Sequence, residues 1–182
     1  MPAGNRFFVI TGGPGAGKST LVAALAASGL AHRPEVGRAI IKDQVAIDGP
    51  ALPWADRGLF AELMLAAELR AYREAAAQGG TVIFDRGLPD VIGYLTVCGL
   101  PVPGHMRRAA EGCRYAPEVF LAPPWPAIFG QDGERKQSFE EACATHAAMR
   151  EVYAALGYRT VPLPLAPVEA RLRFVLARIG PR

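Results

Sequence analysis

Lysine, histidine and cysteine each occur only three times in the 182 residues, and asparagine once, at Asn5. Cys98, Cys113 and Cys143 form no C-x-x-C pair. An odd count without a motif argues against a disulfide framework and for reduced thiols in a cytoplasm. His32, His105 and His146 lie too far apart for zinc-ligand spacing. No window approaches ~20 consecutive apolar residues, so no membrane span is expected. Residues 1–6 lack the charged region, isolated apolar stretch and cleavage site of a signal peptide. Basic residues number 20 against 17 acidic, and no basic run exceeds two residues. Nothing there suggests a nucleic-acid-binding face. Hydrophobic residues make up 51% of the chain, which is globular rather than disordered. The length fits one domain, residues 1–182.

What is present is an alternation of short apolar runs with longer helical segments. Strands are predicted at 6–11 (RFFVIT), 30–36, 81–85 (TVIFD), 118–122 (EVFLA) and 158–163. Helices are predicted at 18–28, 37–47, 56–78, 89–98, 104–113, 138–156 and from 167 onward. Residues 48–54, with Gly and two prolines, must be loop. The helix over 56–78 is expected to bury Leu59, Leu63, Ala66, Ala67, Leu69 and Ala71. Ser138-x-x-Glu141 is a capping box that opens the next-to-last helix. Five strands separated by helices imply a three-layer α/β fold with a parallel sheet. Ligands on such a sheet bind beyond the carboxyl ends of the strands.

Between the first strand and first helix lies GGPGAGKS, residues 12–19, which fits G-x-x-x-x-G-K-[ST] in full. Glycines let successive N–H groups curl around one anion, and the helix behind them adds its positive end. Gly13, Pro14, Gly15, Ala16, Gly17, Lys18, Ser19 and Thr20 are therefore expected to bind a nucleotide's phosphates. Lys18 reaches the β- and γ-phosphates, and the Ser19 hydroxyl is a ligand for Mg²⁺. With one asparagine the chain lacks the N-K-x-D motif that reads guanine. It also lacks the serine-glycine signature of transporter ATPases, and it is short for the extra helical domain of an unfoldase. A small kinase-like NTPase remains.

Three further segments carry charge where chemistry needs it. Asp85, in FDRG, ends the apolar third strand and is a second candidate for Mg²⁺. Arg86 beside it is expected to bind a phosphate or to pair with Asp85. Glu35, at the end of the second strand, is a candidate base for a substrate hydroxyl, with Arg38 one turn on to orient it or to bind substrate. Arg135 and Lys136 sit in a polar segment that reads as part of a lid over about 123–137, clamping the moving phosphoryl group. Arg114 is a weaker anion-site candidate. Asp43, Asp56, Arg57 and Asp90 read as surface or capping residues, or as part of the lining of a substrate pocket. Trp54 and Trp125 read as loop anchors, or as faces on which a base would stack.

Together GGPGAGKST, PEVGRAI, FDRG and the ERK lid resemble the nucleoside and nucleotide kinase branch of P-loop proteins. More closely, they resemble a bacterial family of small P-loop ATPases with an AAA-type ATP-binding domain, similar to the kinase domain of nicotinamide riboside kinases. The resemblance implies a five-stranded parallel sheet in the order 2-3-1-4-5, MgATP as donor and an arginine-bearing lid. It also implies a glutamate base ending the second strand and an acidic-Arg pair ending the third. Glu35 and Asp85-Arg86 match those places, while Gly87 stands where the branch often has serine. The expected activity is a cytoplasmic Mg²⁺- and ATP-dependent transfer of phosphate to a small, nucleoside-like hydroxyl compound. The alternative is a nucleotide-dependent NTPase that switches a protein partner.

Overall fold

The computed structural model describes residues 6–129 and 138–180. The elements run β1 (Arg6–Gly12), α1 (Lys18–Ala27), β2 (Ala31–Arg33), α2 (Val36–Ala46), α3 (Arg57–Gln78), β3 (Thr81–Asp85) and α4 (Leu88–Val97). They continue as α5 (Gly104–Gly112), β4 (Glu118–Ala122), α6 (Phe139–Ala155), β5 (Arg159–Pro162) and α7 (Val168–Ile179), with a 3₁₀ turn at Pro126–Ile128. All strand pairs are parallel, and the sheet order is β2-β3-β1-β4-β5, as the resemblance implied.

Strand alternation divides the core in two. Phe7, Val9, Val82, Phe84, Val119 and Leu121 face one side, packed against α3, α4, α5 and α6. Ile10, Ile83, Phe120 and Val161 face the other, against α1 and α7. A parallel sheet must be covered on both faces, and this period-2 alternation shows that it is. Truncating Phe84, which is 1% exposed, to alanine would cost about 3–5 kcal/mol. The capping box forms as read: Ser138 Oγ accepts from the Glu141 amide at 3.1 Å, and Glu141 Oε2 accepts from the Ser138 amide at 2.6 Å. Asp56 caps α3 by accepting from the Leu59 amide at 2.9 Å.

Several expectations are corrected. The second strand is only three residues long, because Pro34 follows it without an N–H to donate. Glu35 therefore does not end a strand but stands as the N-cap residue of α2. Helix α3 buries Phe60, Ala61, Leu65, Glu68 and Ala75, while Leu59 and Ala66 are exposed. The helix is apolar around most of its circumference, since it packs on both α2 and α4, so apolar content alone did not place its stripe. Trp54 anchors nothing: it is 66% exposed. Arg114 is committed to the body, donating to the Leu156 carbonyl at 2.9 Å and lying 4.1 Å over the Tyr158 ring. Among the described residues no helix is long and apolar enough to cross a membrane.

Candidate active site

β1 is central in the sheet, and its last residue opens the glycine loop directly beyond the strand's carboxyl end. Two glycines there are required by geometry. A Cβ on Gly13 would fall 2.3 Å from the Ala142 carbonyl of α6, so only glycine lets that helix close on the loop. Gly17 turns into α1 with φ +73°, a left-handed conformation that costs other residues energy.

Lys18 is 6% exposed and donates to the loop's own Gly13 carbonyl at 2.6 Å. Burial, reinforced by the nearby Arg86 charge, brings its ammonium down to about 7 against the pull of Glu35, Asp85 and Asp90. A lysine in that state is matched to a polyanion, whose arrival restores the charge that burial disfavours.

Ser19 and Asp85 meet across 66 residues of sequence, with Ser19 Oγ 3.4 Å from Asp85 Oδ2. Asp85 Oδ1 is buried and has no hydrogen-bond partner among the described residues. Burial raises the Asp85 pKa, and the neighbouring Glu35 and Asp90 charges raise it further against Lys18 and Arg86. An orphaned carboxylate oxygen beside a hydroxyl fits Mg²⁺, which takes one or two protein oxygens and completes its shell with phosphate and water. No cluster of three or more acidic, His or Cys side chains suited to a metal occurs among the described residues.

Arg86 ties the site together. Its backbone takes a positive φ of 74°, unusual outside glycine, and its amide donates to the Ile10 carbonyl at 2.9 Å. Its Nε donates to Glu35 Oε1 at 2.9 Å, and its Nη1 donates to the Gly12 carbonyl at 3.0 Å and to Asp90 Oδ1 at 3.2 Å. So Arg86 pairs with Glu35 and Asp90 rather than with Asp85. Burial alone would raise the Glu35 carboxyl; the Arg86 and then Lys18 charges overcome it and hold it at about 2.

Asp90 is not a surface residue. It is 5% exposed and accepts from Thr11 Oγ1, the Gly87 amide at 3.0 Å, Tyr153 Oη at 2.7 Å and Arg86. It does cap the start of α4, as read, but the same carboxylate joins β1, α4 and α6 behind Arg86. Two further charges were missed altogether. Glu68 of α3 is 3% exposed. Burial, then repulsion from Asp90, lifts its carboxyl to about 8. Arg171 of α7 is 2% exposed and donates to the Ala16 carbonyl of the glycine loop at 2.7 Å. Glu68 had a signal: it is the one charge on the 60/61/64/65/68 face of α3. Arg171 had none, being one of three arginines spaced along a short helix.

A cleft of about 280 Å³ opens beside this cluster, lined by Ser19, His32, Pro34, Glu35, Arg38 and Asp85 among others. Thus Lys18, Ser19, Glu35, Arg38, Asp85 and Arg86 come together, while Arg135 and Lys136 lie outside the described residues.

A family model described as an AAA domain matches residues 7–171. No curated protein matches the chain. Among solved structures, the NadR protein in complex with NR superposes with a TM-score of 0.74 at 18% identity, over 98% of this chain and 52% of that one. The chain thus spans about half the length of that NadR protein. Deoxyadenosine kinase from M. mycoides, with products dCMP and dCDP, gives a TM-score of 0.65 at 15% identity, over 95% of this chain and 98% of that one. At such identities these two establish the fold alone, and the family match over most of the chain establishes kinship: this chain belongs to the AAA domain family.

Proposed function

We propose that the chain transfers the γ-phosphoryl group of MgATP to a hydroxyl of a small, nucleoside-like metabolite. The observation that carries this reading is the cleft in which Glu35 and Arg38 face the same space as Ser19 and Asp85. A plain NTPase needs only room for a water there; a cleft of about 280 Å³ with a carboxylate and a guanidinium at its edge suits an acceptor molecule. The superposed structures of a protein bound to NR and of a deoxyadenosine kinase support a nucleoside-like acceptor.

In this reading the amides of residues 13–20 wrap the phosphates, and Lys18 exchanges the Gly13 carbonyl for phosphate oxygens. Ser19 and Asp85 would hold Mg²⁺, which neutralises charge on the β- and γ-phosphates. The acceptor hydroxyl oxygen bonds to the γ-phosphorus while the bond from that phosphorus to the β,γ-bridging oxygen breaks, releasing ADP. The hydroxyl proton passes to Glu35. A carboxylate held near 2 by Arg86 is a weak base, so it serves chiefly to orient the hydroxyl and takes the proton late, as a loose transition state allows. Asp90 keeps Arg86 in place as a positioning residue, and Arg86 in turn fixes Glu35. Arg135 and Lys136 are proposed as lid cations that meet the phosphoryl group in transit.

The test is ADP release from MgATP with and without pooled nucleosides, vitamins, sugars and aminoglycosides, with Lys18→Ala as the blank. One pool should raise turnover well above basal, and Glu35→Gln should abolish that rise while retaining ATP binding. Basal hydrolysis that is lost in the blank but indifferent to every pool would replace this reading with the nucleotide switch.

A further inference from the structure

Helix α6 meets the glycine loop at two levels. In its first turn the Ala142 carbonyl sits where a Gly13 Cβ would be, so helix and loop are in backbone contact. About three turns further on, Tyr153 reaches the start of the same loop by relay. Its ring is 0% exposed and packs edge-on against Tyr158, with centroids 5.5 Å apart. Its hydroxyl donates to Asp90 Oδ2 at 2.7 Å. Burial, then the Asp90 charge, raises the phenol well above its ordinary range, so the hydroxyl stays protonated and always donates.

That bond completes a closed set. Asp90 Oδ1 accepts from Thr11 Oγ1 and Arg86 Nη1, and Oδ2 accepts from the Gly87 amide and Tyr153 Oη. An ionised carboxylate has about four acceptor positions, so this one is saturated. Donors on both oxygens stop the group from pivoting, and the position of Oδ1 then decides where the Arg86 guanidinium lies. The guanidinium is a rigid plane with two further contacts. Its Nη1 also donates to the Gly12 carbonyl at 3.0 Å, and its Nε donates to Glu35 Oε1 at 2.9 Å. Thr11, Gly12 and Gly13 are thus each tied to α6, the first two through Asp90. Core filling at residue 153 would be served as well by phenylalanine; the hydroxyl serves Asp90.

We propose that Tyr153 is a positioning residue for phosphoryl transfer: by fixing the Asp90 carboxylate it sets the Arg86 guanidinium, and through it the placement of Glu35 against the start of the glycine loop. Without the hydroxyl, Oδ2 keeps only the Gly87 amide and the carboxylate pivots. The Arg86–Asp90 contact, at 3.2 Å the longest that Asp90 makes, is the first to loosen. Glu35 then moves with Arg86, while the loop amides and Lys18 still hold phosphate. The effect falls on turnover and not on nucleotide binding. The inference rests on the roles given to Glu35 and Arg86 in the function proposed above, but its first readout needs no acceptor.

The experiment uses the ¹⁵N-labelled full chain. Hydrogen exchange of the arginine Nε–H groups is followed by NMR, with Arg86→Lys and Arg171→Lys assigning two signals. Arg86 Nε is bonded to Glu35; Arg171 Nε, bonded to the Pro164 carbonyl at 2.8 Å, is the internal control. Tyr153→Phe should speed exchange at Arg86 by roughly 10-fold or more and leave Arg171 unchanged. Basal MgATP turnover should lose about 10-fold or more in kcat, with KM within about 3-fold of the parent. Thr11→Val strips the other oxygen of Asp90 and carries the same expectations, so the test survives if the first variant does not fold. Exchange unchanged at Arg86 in both variants would overturn the proposal. Exchange that quickens equally at Arg171 would also overturn it, by showing a general loosening. So would quickened exchange at Arg86 with kcat unaltered, or a loss carried by KM alone. The expected exchange and kcat effects, with no transfer to any pooled acceptor, would sink the kinase reading alone and leave Tyr153 positioning a hydrolytic site.

Discussion

Glu68 makes a measurable demand on folding. In the unfolded chain its carboxyl releases a proton near its ordinary 4.5; in the folded chain burial and the Asp90 charge hold the proton until about pH 8. Between those values the folded state binds the proton and the unfolded state does not. Stability therefore falls as pH rises through this window, is complete below about 4.5, and levels off once pH passes about 8. At 1.36 kcal/mol per pH unit the window sets a ceiling of about 5 kcal/mol on the loss. Attraction to Arg86 is already counted in the raised value, while Asp85 and Glu35 oppose ionisation alongside Asp90. Glu68→Gln removes the proton and keeps the shape. Urea unfolding of both proteins at pH 5, 6, 7, 8 and 9 isolates the contribution of Glu68 and its charge interactions, because groups that do not interact with it titrate alike in both and cancel in the difference. The variant should gain on the parent steadily from pH 5 to 8, by up to a few kcal/mol, and no further above that. A difference that stays flat across the series would show that Glu68 is ionised throughout, and the burial argument would fail.

Other expectations follow from single contacts. Asp90→Ala strips partners from Thr11, Arg86, Tyr153 and the Gly87 amide, so it should cost about 3–5 kcal/mol in chemical denaturation, while Asp90→Asn should cost less. Gly13→Ala places a methyl 2.3 Å from the Ala142 carbonyl; the chain should still fold by circular dichroism but bind MgADP more than 10-fold more weakly by calorimetry. Asp85→Asn should raise the Mg²⁺ concentration needed for half-maximal ATP turnover by 10-fold or more, and unchanged Mg²⁺ dependence would remove Asp85 from the metal site. Ser138→Ala deletes an N-cap and should cost about 1 kcal/mol, read as a lower urea midpoint with an unchanged slope.

The legible parts of this chain are those in which cause and consequence are neighbours in sequence. The glycine loop is such a case: loop, lysine and helix start lie within nine residues, and the strand before them is apolar enough to be read alone. Asp85 was legible for the same reason, since a carboxylate closing the apolar run TVIF has one place to go in a parallel sheet. Glu35 was located with the wrong support: it caps α2, and its carboxylate ignores the cap to reach Arg86, 51 residues away. Arg86 itself looked like a partner for adjacent Asp85. A left-handed φ at Arg86 sends its side chain instead toward Glu35 and Asp90, and backbone geometry of that kind leaves no trace in a residue pattern. Asp90 was hidden by doing two jobs, because a capping role explained it and nothing in the sequence said that Tyr153 and Thr11 would close over the same oxygens. Arg171 is the extreme case. Its value lies in a bond to Ala16, 155 residues earlier, which exists only once β5 has docked beside β4 and carried α7 to the loop. The sequence thus announces the glycine loop itself, while the charged groups around it are brought together by strand order.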